Sequence, residues 1–388
     1  MQTPEVSIVI PCLNEASSLP YCLQKANDFL SGNSIKGEVI VVDNGSTDES
    51  VSIARQYNAR VIAEPNKGYG NALMAGFVNA NGKYVVMGDA DDSYDFSNLM
   101  PFVELLREGY DLVNGNRFKG NIQKNAMPFL HRYLGNPVLN FIAKRFFSIC
   151  VSDFQCGLRG FARESILQLD LRTTGMEFSS EMIVKASLAD LRMTEIPVTL
   201  SPDKRYSPSH LRTWRDGWRY LRFLLLYSPR WLFLFPGLLL LLMGVLGSAI
   251  LVISPIRIGD KTLDVHTLIY TSGCILIGFQ FVFFYFFSRL YATTHGLLPD
   301  RHNFLETFTR YFRLERGIAI GLILFLSGIG LFIKSFLYWK QYHFGNLDPM
   351  VVLRWVVPSC VLLVLGLQII ISFFYLSFLT IKSKINKT

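Results

Sequence analysis

The residues with the most chemistry in them are Gly88-Asp89-Ala90-Asp91-Asp92, directly after the apolar run Tyr84–Met87. Asp89 and Asp91 stand two apart, and in extended backbone such residues share a face. Two crowded carboxylates repel unless a cation sits between them. Hard oxygens suit Mg²⁺ or Mn²⁺, and Mg²⁺ commonly completes its shell with substrate phosphates. The same tripeptide also arises as a solvated acidic turn, with Asp92 capping the next helix. What favours the metal is company: two other apolar runs, 6–10 and 38–42, also end in polar turns, at 11–15 and 43–48. A further turn, Asn66-Lys67-Gly68-Tyr69-Gly70, opens a helical pattern. Its glycines allow close backbone approach, and Lys67 with the helix N-terminus would favour a phosphate. It fits neither the Walker nor the dinucleotide fingerprint, and a plain left-handed turn explains it equally well.

Such turns need a scaffold that brings strand ends together. Short apolar runs at 6–10, 38–42, Arg60–Ala63 and 84–88 alternate with helical patterns at 18–30, 49–57 and 70–79. That alternation predicts an α/β domain with a parallel sheet covered on both faces, whose ligands bind beyond the carboxyl ends of the strands.

The rest of the 388 residues is of another kind. Apolar residues make up 50% of the chain and charged ones 18%, and the mean hydropathy is +0.29. Soluble domains carry about 25% charge, so part of the chain is expected in lipid. Collagen-like, disulfide-stapled and disordered classes do not fit this composition. The six cysteines form no CxxC pair and read as reduced thiols, which suggests a catalytic part in the cytosol. Residues 1–200 carry a net charge of −4, residues 201–230 of +5 and residues 231–388 of +7. The excess begins where the chain becomes oily, which points to anionic lipid head groups rather than nucleic acid.

Four stretches reach the span length of about 20 residues, at 231–253, 266–287, 317–339 and 350–379. Lys334 and Arg354, near span ends, are placed to snorkel. Basic residues cluster before the first span, between the second and third, and after the fourth, so both termini and the catalytic domain are expected in the cytosol at the cell membrane. No signal-peptide pattern precedes Val6. Leu211, Trp214, Trp218, Leu221 and Leu225 fall on one helical face beside a stripe of Arg212, Arg215, Arg219 and Arg222, the composition of a helix lying in the interface plane. The run 303–316 and the 132–147 helix, with Phe141, Ile142, Phe146 and Phe147 beside Lys144 and Arg145, are placed to do the same. The organisation expected is a domain over 1–205, a juxtamembrane helix over 206–230 and a membrane domain over 231–388. Four spans exceed what an anchor requires, and homo-oligomer formation or guidance of a lipid are two uses for them.

In its ordered motifs the chain resembles a family-2 glycosyltransferase with the A-type nucleotide-sugar fold. The matching residues are Val6 to Pro11 with Asn14-Glu15, Val41 to Asp48, Gly68 to Ala75, and Asp89-Ala90-Asp91. Within that family it is most similar to the dolichyl- or polyprenyl-phosphate sugar synthases, through Gly115-Asn116-Arg117-Phe118, the 132–136 helix, 153–157, 177–181, Glu195-Ile196-Pro197-Val198 and 205–211. The similarity spans residues 6–222. It implies that Pro11, Asn14 and Glu15 line the nucleotide pocket, that Asp43 accepts from the base, and that Asp89 and Asp91 hold the metal on the diphosphate. It implies too that Arg117, Arg132 and Arg205 face an acceptor phosphate. Ser93 stands where the mannose synthases usually carry Gln, and Tyr206-Ser207-Pro208-Ser209-His210 replaces their Gly-x-Ser-Lys loop.

The reaction so implied moves a sugar from a UDP- or GDP-sugar to a polyprenyl phosphate with inversion. A phosphate monoester, with its second pKa of about 6, is already ionised and needs no general base. Asp153 and Glu181 are candidates for sugar or positioning contacts, and for Glu181 pairing with Lys185 at i+4 is an equal alternative. A rival reading, a processive polysaccharide synthase, calls for a QxxRW motif that does not occur. Transfer to a lipid-linked saccharide hydroxyl would need a base, for which Asp153 or Glu181 would serve. A non-catalytic lipid-handling protein is disfavoured by the intact Asp43, Asp89 and Asp91.

Overall fold

The computed structural model describes residues 3–147, 149–204, 212–300 and 304–380. The chain divides into two compact units, Met1–Leu224 and Leu225–Thr388.

In the first unit the apolar runs form β1 (Val6–Cys12), β2 (Gly37–Asp43), β3 (Arg60–Ala63) and β4 (Tyr84–Met87). Between them lie α1 (Leu19–Gly32), α2 (Ser50–Gln56) and α3 (Tyr69–Asn79). Val9, Ile10, Val85 and Met87 are all fully buried, as a sheet covered on both faces requires. The chain continues through α4 (Met100–Arg107), β5 (Leu112–Ile122), α5 (Asn136–Phe147), β6 (Arg159–Ala162) and α6 (Arg163–Leu167). It then forms α7 (Phe178–Leu188), β7 (Met193–Leu200) and α8 (Thr213–Leu226). The seven strands lie in the order β3-β2-β1-β4-β6-β5-β7.

The sheet is mostly parallel, as expected; the exception is β6, which runs against both β4 and β5. The chain reaches β6 from a loop at the carboxyl edge and so enters the sheet from that side. Register then does something useful: Met87, Arg159 and Asn114 lie side by side. The turn after β4, the loop before β6 and the outer half of β5 therefore meet at one edge.

The second unit contains α9 (Phe235–Ile253), a short hairpin of β8 (Ile256–Ile258) and β9 (Lys261–Leu263), α10 (Val265–Thr294), α11 (Phe304–Tyr311), α12 (Leu314–Gln341) and α13 (Pro349–Thr380). Four helices, Arg230–Ile253, Val265–Thr294, Leu314–Gln341 and Pro349–Thr380, are long and apolar enough to cross a membrane. α10 runs past the expected end at 287 to Thr294 and takes in Arg289, whose guanidinium lies over the Phe304 ring at 4.8 Å. α9 packs on α10, α12 on α13, and α10 joins α13. A Cβ at Gly321 would stand 2.6 Å from the Gly366 carbonyl, so glycine sets how closely α12 and α13 approach. Of the two residues placed to snorkel, Arg354 pairs with Asp264 at 2.6 Å and Lys334 lies 4.2 Å from the centre of the Trp355 ring.

Candidate active site

The carboxyl ends of β1 and β2 are laced together. Asn14, at φ 58°, accepts the Thr47 N–H at 2.8 Å and donates its own N–H to the Ser46 hydroxyl at 3.0 Å. The Glu15 N–H donates to the Ser50 hydroxyl, and Asp43 Oδ1 accepts the Ser46 N–H at 2.9 Å. Asn44 extends the lacing to the glycine-rich turn, donating to the Glu64 and Asn66 carbonyls and accepting the Gly68 N–H at 2.7 Å.

From that turn Tyr69 reaches the acidic motif, its hydroxyl donating to Asp89 Oδ1 at 2.9 Å. Burial, and then the Asp89 carboxylate, push the Tyr69 phenol well above its ordinary pKa, so it stays a donor. The motif itself is a turn and not extended backbone, with Asp92 at φ 59°. Strand alternation therefore does not orient Asp89 and Asp91. Local hydrogen bonds do: Asp91 Oδ1 accepts the Ser93 N–H at 3.0 Å and its hydroxyl at 2.5 Å. Asp92, nearly buried, binds Lys25 and Lys204, each at 2.8 Å.

These donors fit a hard divalent ion. Asp89 and Asp91 offer carboxylate oxygens on one short turn. Among the described residues no group of three or more potential ligands gathers. Diphosphate oxygens and water would then complete the shell, which is how Mg²⁺ is commonly held.

On the outer half of β5, Arg117 faces Asp153. Arg117 donates through Nε at 2.8 Å and Nη2 at 2.7 Å, and its own N–H adds a third bond to the same carboxylate. Burial works against the Arg117 charge, but Tyr94 and Asp153 hold its pKa well above the ordinary value. The expected phosphate-facing arginine is thus committed to the expected sugar-contacting carboxylate. Glu181 is likewise occupied. Fully buried, it accepts the Arg172 and Thr173 N–H groups and the Thr173 hydroxyl, and pairs with Lys185 at 2.8 Å. It anchors the 172–174 loop, whose Thr174 carbonyl accepts the Gly70 N–H at 2.9 Å.

Residues 7–169 match glycosyl transferase family 2, and residues 286–380 match the glycosyltransferase family 2 C-terminal transmembrane region. The low-salt glycan biosynthesis hexosyltransferase Agl6 of Haloferax volcanii is 36% identical over 374 residues, 96% of this chain and 88% of that protein. The chain belongs to glycosyltransferase family 2. The dolichyl-phosphate hexose transferase of the same organism is 30% identical over 195 residues, 50% of this chain and 82% of that protein. The undecaprenyl-phosphate 4-deoxy-4-formamido-L-arabinose transferase of Pseudomonas savastanoi pv. phaseolicola is 29% identical over 64% of this chain and 73% of that one. A solved glucosyl-3-phosphoglycerate synthase from Mycobacterium tuberculosis, in complex with Mn²⁺, UDP-glucose and phosphoglyceric acid, aligns with a TM-score of 0.46 at 20% identity, over 57% of this chain and 79% of that one.

The transferase is an A-type glycosyltransferase with a membrane region, and its remaining expected site residues fall as follows. Pro11 is half-buried in β1 opposite Val42, Ala90 is buried, and Lys67 is exposed on the glycine-rich turn. Arg132 sits in a π-helical turn, His131–Gly135, its guanidinium 5.6 Å from the centre of the Tyr133 ring. Arg205 lies outside the described residues, as does Leu211. Three residues that organise these turns had no role assigned from the sequence: Tyr69, Asn44 and Arg159. Arg159, fully buried, donates to the carbonyls of Cys156, Phe154 and Ser179, fixing the loop before β6 to α7. Only the tyrosine between Gly68 and Gly70 carried a signal.

The transferase also exposes apolar surface on its first unit. Trp214 is 84% and Trp218 58% exposed on α8, while Tyr220, Phe223 and Leu224 are buried. On the π-turn and α5, Tyr133, Leu134, Val138 and Phe141 are exposed as well. His131 Nε2 lies 2.9 Å from the Thr213 hydroxyl, which makes the two surfaces neighbours.

Proposed function

We propose that this membrane glycosyltransferase moves a sugar from a UDP- or GDP-linked donor to a polyprenyl phosphate, with inversion, at the cytosolic leaflet. The observation that carries this reading is the state of the two carboxylates offered as bases. Asp153 and Glu181 are both occupied by cations and backbone donors, an arrangement suited to a nucleophile that arrives already ionised. A lipid phosphate is such a nucleophile, and a saccharide hydroxyl is not.

In the step proposed, an acceptor phosphate oxygen forms a bond to the anomeric carbon. The bond from that carbon to the diphosphate oxygen breaks, its electron pair leaves with the diphosphate, and no proton changes hands. A divalent ion on Asp89 and Asp91 would supply electrostatic relief of the charge on the leaving diphosphate. Tyr69 and Ser93 hold those carboxylates in place. Asp43, Pro11, Asn14 and Glu15 frame the nucleotide side, and Lys67 is positioned to meet phosphate charge. The exposed Trp214, Trp218 and Phe141 fit a rim resting on lipid, flanked by the basic residues of α8. The names of the dolichyl- and undecaprenyl-phosphate relatives support the acceptor class.

The test is incubation of membranes holding the full chain with a panel of radiolabelled nucleotide sugars, with and without added undecaprenyl phosphate. An organic-soluble label released by mild acid is the expected product. A lipid label that resists mild acid, or one independent of the polyprenyl phosphate, would overturn the proposal.

A further inference from the structure

With Arg117 paired to Asp153, the acceptor phosphate calls for further cations, of which Arg132 on the π-turn is one. We infer that Arg219 of α8 receives the phosphate, at a junction with Glu177 formed around Gly175; this rests on the lipid-phosphate reading above. A Cβ at Gly175 would stand 2.5 Å from Glu177 Oε2 and 3.1 Å from Arg219 Nη1. The carboxylate and the guanidinium thus crowd one face of a residue without a side chain, and they do not pair with each other.

Each has capacity to spare. Glu177 Oε2 is buried with no hydrogen-bond partner. Arg219 is 40% exposed at its side chain, and its nearest carboxylate among the described residues, Asp216, is 3.9 Å away. Asp216 itself is taken up by the Arg212 N–H at 2.7 Å and Arg215 Nε at 3.1 Å. An orphaned buried acceptor beside an under-used cation implies a ligand that brings both a donor and an anion. A hexose hydroxyl meeting a phosphate oxygen is that combination.

The junction is also tied to the donor site. The Tyr220 hydroxyl donates to the Met176 carbonyl at 2.6 Å, bolting α8 to this loop. One residue before Gly175, the Thr174 carbonyl holds Gly70, and Tyr69 beside it holds Asp89. In the other direction Arg219 follows Trp218, which is exposed on α8. A lipid head group reaching α8 from a bilayer therefore meets Arg219 on the way to the sugar, while Glu177 accepts a hydroxyl of that sugar.

The experiment measures binding of tritiated undecaprenyl phosphate to the full chain in phosphatidylcholine nanodiscs. R219A is expected to weaken binding by about 10- to 100-fold, the loss typical of a charge-assisted hydrogen bond. R219K should recover part of it, since a point charge lacks the planar fork. G175A, whose methyl would push the two groups apart without changing charge, should also weaken binding. An unchanged thermal midpoint separates these effects from misfolding, and R219Q replaces R219A if the latter does not fold. Excess phosphatidylglycerol is the arm for head-group source: if it competes as well as undecaprenyl phosphate, Arg219 reads any anionic lipid and the inference falls. If wild type binds and R219A binds equally, Arg219 is wrong and the acceptor reading stands. If wild type does not bind, the acceptor reading fails and this one with it. In turnover with the donor found by the radiolabel panel, E177Q should raise donor KM and leave the pH profile unchanged. Loss of the acid limb would instead make Glu177 a proton acceptor and overturn its half of the junction.

Discussion

The Tyr69 hydroxyl donates to Asp89 Oδ1 at 2.9 Å, joining the glycine-rich turn to the acidic turn after β4. Gly68 and Gly70 make that reach possible. A Cβ on either would collide with the backbone of the 173–174 loop, so the turn lies flat on it and Tyr69 points inward. Y69F removes one donor to a carboxylate, worth about 1.5–3 kcal/mol. The expected result is a higher Mn²⁺ concentration for half-maximal transfer, with a thermal midpoint lowered by a few degrees because the bond is present without metal, about 2–4 °C per kcal/mol. An unchanged Mn²⁺ requirement would separate Asp89 from the metal.

The Arg117–Asp153 pair is a structural commitment, and breaking one side strands a buried charge. D153N should destabilise the first unit by about 3–5 kcal/mol. Replacing both residues with apolar ones should destabilise less than either single change, a double-mutant comparison read by thermal unfolding in detergent. A D153N protein as stable as wild type would show Arg117 free to serve elsewhere.

Glu181 sits behind the loop that Gly70 docks on. E181Q keeps an acceptor for the Thr173 N–H but removes the Glu181–Lys185 ion pair. Donor KM should rise while KM for the polyprenyl phosphate holds steady. Equal rises in both would mean general loosening.

Trp214 and Trp218 make a spectroscopic prediction. In vesicles with brominated acyl chains, the fluorescence lost on replacing both with phenylalanine should be a strongly quenched fraction of the wild-type signal. A solvent-quenched but bromine-insensitive fraction would place α8 away from lipid.

Much of the first unit was legible because its strands are largely apolar runs: 6–10, 38–42 and 84–87 have no competing period, and Pro11, Asp43 and Gly88 close them in turn. The spans were legible for the same reason, at larger scale. β5 and β6 were not. Leu112-Val113-Asn114-Gly115-Asn116-Arg117 mixes buried polar and apolar residues, so no alternation marks it, although every one of the six is buried. Strand periodicity does not reach Asp89 and Asp91, because β4 ends at Met87 and residues 90–91 form a turn.

What the sequence determined by itself was the set of chemical possibilities: acidic turns at strand ends, a basic aromatic helix, and four apolar spans. Local composition is enough for that, since period, turn residues and hydropathy act over a few residues. Which charges stay available was decided only in three dimensions. A buried charge needs a partner, and the fold supplies it from far along the chain for Arg117, through Asp153, whereas Glu181 finds its partners nearby, in Lys185 at i+4 and the 172–173 backbone. Among the described residues, Arg219 has only a long 3.9 Å approach to Asp216, and one buried oxygen of Glu177 has no hydrogen-bond partner.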